Sequence, residues 1–278
     1  MGEELHTILN KQDEAFDERQ FLKYDLTFEI GDKTFSYSVL DSEKNKFLAI
    51  GSFRNHLNDV IPKVPWLRNP FHLIRGIISN TRFTLIPEAL FSASEKDNYY
   101  NFILEKESGD NVSFDKLDHL GLYSVYCIPV HTRREISAVF SKVSTCHISS
   151  ILIENIWMNV KNMTGRKVFL NLRDGQFDLL VFNGNQLVYC NGFHFRTPED
   201  VAYYVIFVYE QLNLNPEETG LCLLGNVEKL SPVYDLLFRY IRLIEFMGRN
   251  EGFKYSYLFD EIPGHSYFSL LTPALCGS

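Results

Sequence analysis

Cysteine is scarce in this sequence, and the few cysteines present form no pattern that would join them or bind a metal. There are five, widely spaced and with no Cys-x-x-Cys pair: Cys127, Cys146, Cys190, Cys222 and Cys276. This spacing is typical of reduced thiols in a cytosol and disfavours a disulfide framework or a zinc site. Neither a His-Glu-x-x-His motif nor a Gly-x-Ser-x-Gly motif is present. We therefore assign no catalytic residue and no metal ligand, and we expect a cytoplasmic protein.

Long apolar runs and an excess of positive charge are also missing. The longest apolar run, Val201–Tyr209, is far shorter than the roughly 20 residues that span a bilayer. The N-terminal stretch is polar and acidic, without the cationic and apolar regions of a secretory signal. Lys and Arg number 27 against 35 Asp and Glu, which gives a formal net charge of −8. We therefore expect no membrane insertion and no nucleic-acid partner.

Apolar and aromatic residues are plentiful and can fill two cores. Of 278 residues, 45% are hydrophobic, with 23 Phe and 15 Tyr. Because domains most often hold about 100 to 150 residues, we predict two lobes, residues 23–147 and 148–278. Residues 1–22 show no clear hydrophobic period and are predicted to form a loosely attached arm.

Each predicted lobe opens with three antiparallel strands. In the first lobe, residues 24–41 alternate apolar and polar side chains on either side of a turn at Gly31–Lys33, and Phe47–Ile50 follows as a third strand. The second lobe has the predicted strands Val168–Leu172, Phe177–Phe182 and Leu187–Cys190. At a constant offset of 142, Asp32 aligns with Asp174, Phe35 with Phe177 and Val39 with Val181. The matching pattern favours an internal duplication.

Alternating helix and strand patterns follow each three-stranded meander, which predicts mixed sheets with crossover helices in an α/β fold. Ahead of the second meander, strands are predicted at 73–79, 82–86 and 122–128, and helices at 94–104 and 148–160. After it, Thr197 and Pro198 begin a helix that runs to about Leu214. This helix is apolar almost all round, so we expect it to be buried between layers. A last helix starts at Ser231 and keeps one apolar face as far as Met247.

Four segments carry a resemblance to a known family: FTLIPEALF at 83–91, NGFHFRTPEDVAYYV at 191–205, QLNLNPE at 211–217 and LLGNVEKLSPVYDLLFRYIR at 223–242. Through them nearly the whole chain resembles a family of bacterial proteins with an actin-like ATPase fold and a domain of unknown function. The order of elements in each half also looks like that architecture. The resemblance implies a duplicated actin-like ATPase (ribonuclease H-like) fold of two lobes, each with a mixed sheet that starts with a three-stranded antiparallel meander.

The resemblance also implies where a nucleotide would bind. Actin-like ATPases hold ATP with magnesium between the lobes, on two strand-turn-strand phosphate loops that usually read Asp-x-Gly and on a Gly-rich strand-to-helix turn. Carried over by position, these are Glu29–Gly31, Asn171–Arg173 and Leu224–Asn226. All three depart from the pattern. Asn171 lacks the carboxylate that magnesium prefers, and Arg173 stands where glycine would let backbone amides approach a phosphate.

Six residues are the candidates for nucleotide binding: Glu29, Gly31, Asp174, Gly175, Gly225 and Asn226. Glu29 has a carboxylate on a side chain one methylene longer than that of Asp. The pair Asp174 and Gly175 has two interpretations. It could shift the second phosphate loop by two residues, or it could simply form a hairpin turn, for which Asp-Gly is a preferred pair.

Three functions are consistent with this sequence. Degenerate phosphate loops favour a non-catalytic interaction or scaffold protein that binds an unknown protein partner. The alternative is a nucleotide-binding protein or weak ATPase that uses Glu29, Gly31, Asp174 and Gly225. A small-molecule or sugar kinase comes third, because such kinases share the fold but need a catalytic Asp as general base in the second lobe, and we identify none.

Overall fold

The computed structural model describes residues 5–272, which form two compact units. The first unit contains the chain up to Ile151, residues 250–262 and the segment that starts at Ser269, and the second contains residues 152–249 and 263–268. The predicted boundary after residue 147 lies near the break at Ile151. The predicted second lobe differs from the structure at its end, because residues 250–262 and the segment from Ser269 group with the first unit.

Fifteen strands and seven α-helices lie in the described residues. The strands are β1 (Thr7–Gln12), β2 (Tyr24–Ile30), β3 (Phe35–Asp41), β4 (Lys46–Phe53), β5 (Leu73–Ile78), β6 (Phe83–Pro87), β7 (Asn111–Leu117), β8 (Leu122–Ile128), β9 (Ser144–His147), β10 (Arg166–Leu172), β11 (Gln176–Asn183), β12 (Gln186–His194), β13 (Gly220–Gly225), β14 (Ile244–Phe246) and β15 (Lys254–Tyr255). The helices are α1 (Leu57–Val60), α2 (Lys96–Ile103), α3 (Val130–Val139), α4 (Ile148–Val160), α5 (Pro198–Gln211), α6 (Pro232–Phe238) and α7 (Phe268–Leu271).

The main sheet of the first unit has the strand order β1-β4-β3-β2-β5-β9, with β15 paired to β4. The three strands β2, β3 and β4 form the predicted antiparallel meander. β5 then runs parallel to β2, and β9 runs parallel to β5. Nearly every residue of β2 and β4 is buried, which is why these segments are rich in apolar residues instead of alternating strictly.

The N-terminal segment differs from the predicted loose arm. β1 pairs antiparallel with β4, with Lys11 opposite Ile50. The Tyr37 hydroxyl donates to Asn10 Oδ1 at 3.0 Å, and Lys11 forms an ion pair with Glu261 at 2.6 Å. The segment therefore covers one edge of the main sheet. Residues 1–4 of the predicted arm lie outside the described residues.

A smaller sheet is inserted into the first unit between β5 and β9. Its order is β6-β8-β7, and its core consists of Tyr100 from α2 with Val112, Val125 and Cys127. The sequence pattern does not predict β7, α3 or β9. In the second unit, the corresponding stretch between β13 and β14 holds α6 and no strand.

The sheet of the second unit has the order β12-β11-β10-β13-β14. Helices α5 and α6 contribute to one hydrophobic core with its strands, where Leu170, Leu179, Val205 and Leu237 are fully buried. α5 begins as the sequence predicts. Thr197 and Asp200 form a reciprocal capping box, which satisfies backbone donors that the first turn of a helix leaves unpaired.

The two main sheets repeat one plan, which confirms the internal duplication. The order β4-β3-β2-β5-β9 in the first unit corresponds to β12-β11-β10-β13-β14 in the second. Both meanders also have a register shift at the same place, after Val39 in β3 and after Val181 in β11, two residues that the sequence offset aligns. Because bulges are specific features of a strand pair, their coincidence supports a shared origin of the two sheets.

Two predictions about the last helices are wrong. α5 is not buried between layers, because Tyr203 is 63% exposed and Phe207 is 44% exposed. The predicted helix from Ser231 to Met247 ends at Phe238, and residues 244–246 form β14 instead. Their apolar spacing continues the helical pattern, but pairing with β13 determines their conformation.

The cysteines Cys127, Cys146, Cys190 and Cys222 lie in strands and are free thiols. Cys276 lies outside the described residues. Within residues 5–272, no helix has both the length and the apolar character needed to cross a membrane.

Candidate functional site

The first predicted phosphate turn joins β2 to β3 and contains Gly31. The Gly31 N–H donates to the Thr34 carbonyl at 2.9 Å. A Cβ at Gly31 would lie 2.5 Å from Thr34 Oγ1, so this turn favours glycine on steric grounds. Glu29 lies two residues earlier, on β2. The Ser79 hydroxyl donates to its Oε1 at 2.8 Å, and the Ser269 hydroxyl donates to its Oε2.

The second predicted turn, between β10 and β11, has the same backbone closure. The Arg173 N–H donates to the Gln176 carbonyl at 2.8 Å, at the positions that correspond to Gly31 and Thr34. Asp174 and Gly175 form the exposed tip of this hairpin, and Gly175 has a φ of +68°. That left-handed conformation is the one for which an Asp-Gly turn is suited.

The Arg173 side chain is held inside the second unit by Asp178. Its Nε donates to Asp178 Oδ2 at 3.0 Å and its Nη2 donates to Oδ1 at 2.9 Å. Asn171 Nδ2 adds a third hydrogen bond to Asp178 at 3.1 Å. The Asp178 side chain is 0% exposed and that of Arg173 only 12%. A bidentate guanidinium thus balances a carboxylate that is fully removed from water.

The third predicted turn follows β13 and contains Gly225 and Asn226. Gly225 has a φ of +79°, and a Cβ there would lie 2.1 Å from the Leu172 carbonyl oxygen, a distance that no side chain tolerates. The Asn226 N–H donates to the same oxygen at 2.7 Å. Ser79 makes the equivalent bond to Ile30 in the first unit, at 2.9 Å. Both repeats therefore fasten the end of the parallel strand to the end of the first meander strand.

The six candidates fall into two groups, one in each unit. Glu29 and Gly31 lie together at the end of β2. In the second unit, pairing of Leu172 with Gly225 brings the turn that holds Asp174 and Gly175 near the one that holds Gly225 and Asn226.

Magnesium and a nucleotide phosphate do not fit the second turn as it is built. Magnesium prefers carboxylate oxygen, whereas the position that corresponds to Glu29 is the neutral Asn171. The only carboxylate next to Asn171 across the hairpin is Asp178, and it is already bonded by Arg173 and Asn171. A phosphate loop also needs backbone amides without a bulky side chain among them, and Arg173 occupies the place of that glycine.

One polar cluster that the sequence does not predict lies in the first unit around Asp115. Asp115 Oδ2 accepts the His147 backbone N–H at 2.8 Å and the Ser150 hydroxyl at 2.6 Å, and Oδ1 accepts the Tyr126 hydroxyl at 3.2 Å. Burial raises the pKa of Asp115 to about 6, against the effect of these donors. No motif indicates it, because its partners come from three other elements of the chain.

The ring of His147 belongs to the same region but is fully buried. Its Nδ1 lies 2.7 Å from Ser149 Oγ, and its Nε2 lies 3.2 Å from Asn80 Oδ1. Cys146, its neighbour on β9, donates to the Gly76 carbonyl instead. A buried serine and histidine offer a substrate no approach, so this cluster is part of the packing. Among residues 5–272, no group of three or more His, Cys, Asp or Glu side chains could hold a metal ion.

Two repeated sheets of the order meander, crossover, parallel strand, each with a tight turn after its first meander strand, define this protein as one of actin-like ATPase fold. The chain belongs to the family described as "Protein of unknown function (DUF3822)", whose model matches residues 13–244. None of the curated proteins matches the chain.

Solved structures show the same fold. A Bacteroides thetaiotaomicron protein with actin-like ATPase fold and unknown function superposes with a TM-score of 0.76 at 20% identity, over 84% of this chain and 93% of that one. A chain of the PilM–PilN type IV pilus biogenesis complex superposes with a TM-score of 0.59 at 12% identity, over 89% of this chain and 96% of that one. At these identities the likeness concerns the fold alone.

Proposed function

We propose that this protein is a cytoplasmic protein-interaction or scaffold protein of actin-like fold that does not use ATP. The observation that carries the proposal is the buried pair of Arg173 and Asp178 at the second phosphate turn. If Arg173 turned to bind a phosphate, Asp178 would remain buried without its counter-charge. Breaking a buried pair in this way costs roughly 3 to 5 kcal/mol, which a weakly held nucleotide could not offset.

The first turn supports the same proposal by a different contact. Each oxygen of the Glu29 carboxylate accepts a hydroxyl, from Ser79 and Ser269. A magnesium ion would have to compete with these donors for the carboxylate. In both turns, therefore, one charged side chain, Glu29 or Arg173, is directed toward internal partners, as expected where a turn serves structure.

The fold and the thiols are compatible with this role. A chain of similar fold occurs in the PilM–PilN complex, so an actin-like fold can be part of a protein assembly. The absence of disulfides among the four cysteines of the described residues is in keeping with a reducing compartment.

Nucleotide binding is the second candidate, and one feature favours it. Asp174 and Asn226 are exposed on neighbouring turns of the second unit, joined through the hydrogen bond from the Asn226 N–H to Leu172. A nucleotide bound there would contact both side chains without disturbing Arg173.

A thermal-shift experiment on the purified chain, with and without Mg-ATP, Mg-ADP and a nonhydrolysable analogue, distinguishes the two candidates. A ligand at about 100 times its dissociation constant adds ~2.7 kcal/mol to the free energy of unfolding, and each kcal/mol raises the midpoint by roughly 2 to 4 °C. We expect no shift at millimolar nucleotide. A saturable shift that Asp174→Ala removes, with the folding of the variant intact, would contradict the proposal and establish nucleotide binding.

A further inference from the structure

The outer edges of the two meanders are covered differently. In the first unit β4 is buried at seven of its eight residues, and β1 pairs along its outer edge. Its counterpart β12 is the last strand of the second sheet, and none of its nine residues is buried. No strand in residues 5–272 pairs with the outer edge of β12.

The strand registers show which part of β12 lacks a neighbour. Phe35 pairs with Phe53 and Val39 with Ala49 in the first unit, while Phe177 pairs with Phe193 and Val181 with Tyr189 in the second. Residues 189–193 therefore correspond to residues 49–53, the stretch of β4 that pairs with β1. The first unit thus contains, in its own chain, an example of what this edge accommodates.

The hydrogen bonds at the end of β12 show which backbone groups face outward. The Phe195 N–H donates to the Gly175 carbonyl, so the odd-numbered positions are directed toward β11. Backbone groups alternate in direction along a regular strand, and those of Cys190 and Gly192 consequently face away from the sheet. Within residues 5–272, the Gly192 N–H bonds only to Oδ1 of the adjacent Asn191, at 3.0 Å.

The corresponding groups of the first unit are used for pairing. The Arg54 N–H donates to the His6 carbonyl at 3.0 Å, and the Asp13 N–H donates to the Leu48 carbonyl at 2.7 Å. These bonds bracket the ladder between β1 and β4. The outward-facing positions of β12 have the same spacing, but no strand in residues 5–272 pairs with them.

The side chains of β12 also leave its edge unprotected. Exposed edge strands usually carry a charge or a proline that discourages a further strand. The β12 sequence, QLVYCNGFH, has no Lys, Arg, Asp, Glu or Pro, and Val188 is 44% exposed. The edge combines free pairing positions with uncharged side chains, as strands that accept an additional strand do.

We propose that β12 binds an extended segment of a partner protein, which adds antiparallel to residues 189–193 as β1 adds to β4. The segment resembles β1 in chemistry: about six residues, without proline, with both apolar and polar side chains. This inference deepens the interaction role proposed above and rests on it. The inference specifies which surface binds the partner, whereas the buried residues of the turns do not indicate that surface.

The test uses a fluorescent peptide with the sequence of residues 5–14, LHTILNKQDE, added to the full-length protein. We expect saturable binding with a dissociation constant below roughly 1 mM, together with slower amide hydrogen exchange at residues 189–193. Binding with slower exchange confined to residues 49–53 would mean that the peptide replaces β1, and would overturn the inference. The absence of saturable binding would do the same.

Two controls separate backbone pairing from other contacts. Cys190→Pro removes an outward N–H, so we expect about tenfold weaker binding, whereas Cys190→Val keeps that N–H and should bind as the wild type does. A peptide N-methylated at the positions of Leu9 and Lys11 keeps its side chains but loses donors toward the edge. It should not bind, and this control requires no change in the protein.

A second copy of the chain is the competing occupant. Sedimentation equilibrium that shows a dimer, abolished by Cys190→Pro but not by Cys190→Val, would assign the edge to self-association and overturn the partner proposal. The result of the thermal-shift experiment with nucleotide does not depend on the result of the peptide-binding experiment. A thermal shift with Mg-ATP alongside normal peptide binding would contradict only the proposed function, and lost peptide binding without a nucleotide effect would contradict only the β12 inference.

Discussion

The turns after β2 and after β10 have one backbone geometry and two charge arrangements. In both, the N–H of the first turn residue donates to the carbonyl three residues later, at 2.9 and 2.8 Å. In the first unit the carboxylate is Glu29 on the first strand, opposite Ser36. In the second unit it is Asp178 on the second strand, opposite Asn171. The carboxylate therefore lies on the first strand of the hairpin in one repeat and on the second strand in the other.

This difference shows which features of the duplication the fold requires. The register, the bulge and the tight turn are needed for the sheet to form, and both repeats keep them. The charged side chains at the turn are not needed for that purpose. In the second unit Arg173 and Asp178 bond to each other, so this part of the turn is internal structure.

The largest expected effect comes from removing the cation of the second turn. Arg173→Ala leaves Asp178 buried without its partner, and we expect the free energy of unfolding to fall by roughly 3 to 5 kcal/mol. Urea unfolding with an unchanged m-value measures this loss.

An exposed ion pair provides the matched control for Arg173. Arg242 and Glu217 are 71% and 63% exposed, so Arg242→Ala should cost less than about 1 kcal/mol. The double variant Arg173→Ala with Asp178→Ala should lose less than the sum of the single variants, since it leaves no buried charge. Additive losses would mean that the two side chains do not act as a pair.

The third turn differs between the repeats by a glycine, and its replacement should have the next largest effect. Gly225 corresponds to Ile78 of the first unit. In Gly225→Ala the Cβ would lie 2.1 Å from the Leu172 oxygen at a φ of +79°, so we expect a loss of about 3 kcal/mol in thermal or urea unfolding.

Gly175→Ala separates the two causes of that loss. Gly175 also has a positive φ, +68°, but nothing lies within 4 Å of an added Cβ. Its replacement should cost only about 1 kcal/mol, the conformational part. Equal losses at both glycines would show that the close approach of Leu172 to Gly225 is relaxed in solution.

The inserted sheet of the first unit should make the free energy of unfolding depend on pH. The described part of the second unit has no such sheet. Burial raises the pKa of Asp115 from 3.8 to about 6, so the folded state binds the proton more tightly than the unfolded chain does. The stabilisation is therefore complete below about pH 4 and is lost as the pH rises through about 6.

Comparison of the wild type with Asp115→Asn isolates this contribution. Between pH 4 and pH 7, the unfolding free energy of the wild type should fall by about 2 kcal/mol relative to that of the variant. Urea unfolding at several pH values measures the difference. Parallel pH profiles for the two proteins would show that Asp115 titrates normally.

The sequence was sufficient to predict the features that local pattern determines. The hairpins around Gly31 and Gly175 follow from alternation and turn residues, and α5 begins at Thr197 as its capping residues indicate. Its burial could not be predicted, because the pattern does not tell whether a second layer covers Tyr203 and Phe207.

The sequence does not predict features that depend on pairing between segments far apart in the chain. Ile244 continues the helical spacing of apolar residues, but it lies in an edge strand that pairs with β13. The sequence of β1 has no pattern that predicts its pairing with β4. Arg173 was recognised as an obstacle to phosphate, but its partner was not, since the contact with Asp178 is visible only once the register of the hairpin is known.

The side-chain Nε–H of Arg173 offers the most direct test of the central claim, that the second turn holds an internal ion pair in place of a ligand. The NMR signal of this proton is assigned by its disappearance in Arg173→Lys. The proton should exchange slowly with water, because the group is buried and bonded to Asp178. The signal should be lost in Asp178→Asn and should not move on addition of millimolar Mg-ATP. A signal that exchanges rapidly, or that shifts saturably with Mg-ATP, would show that Arg173 is available to a nucleotide and would contradict the account.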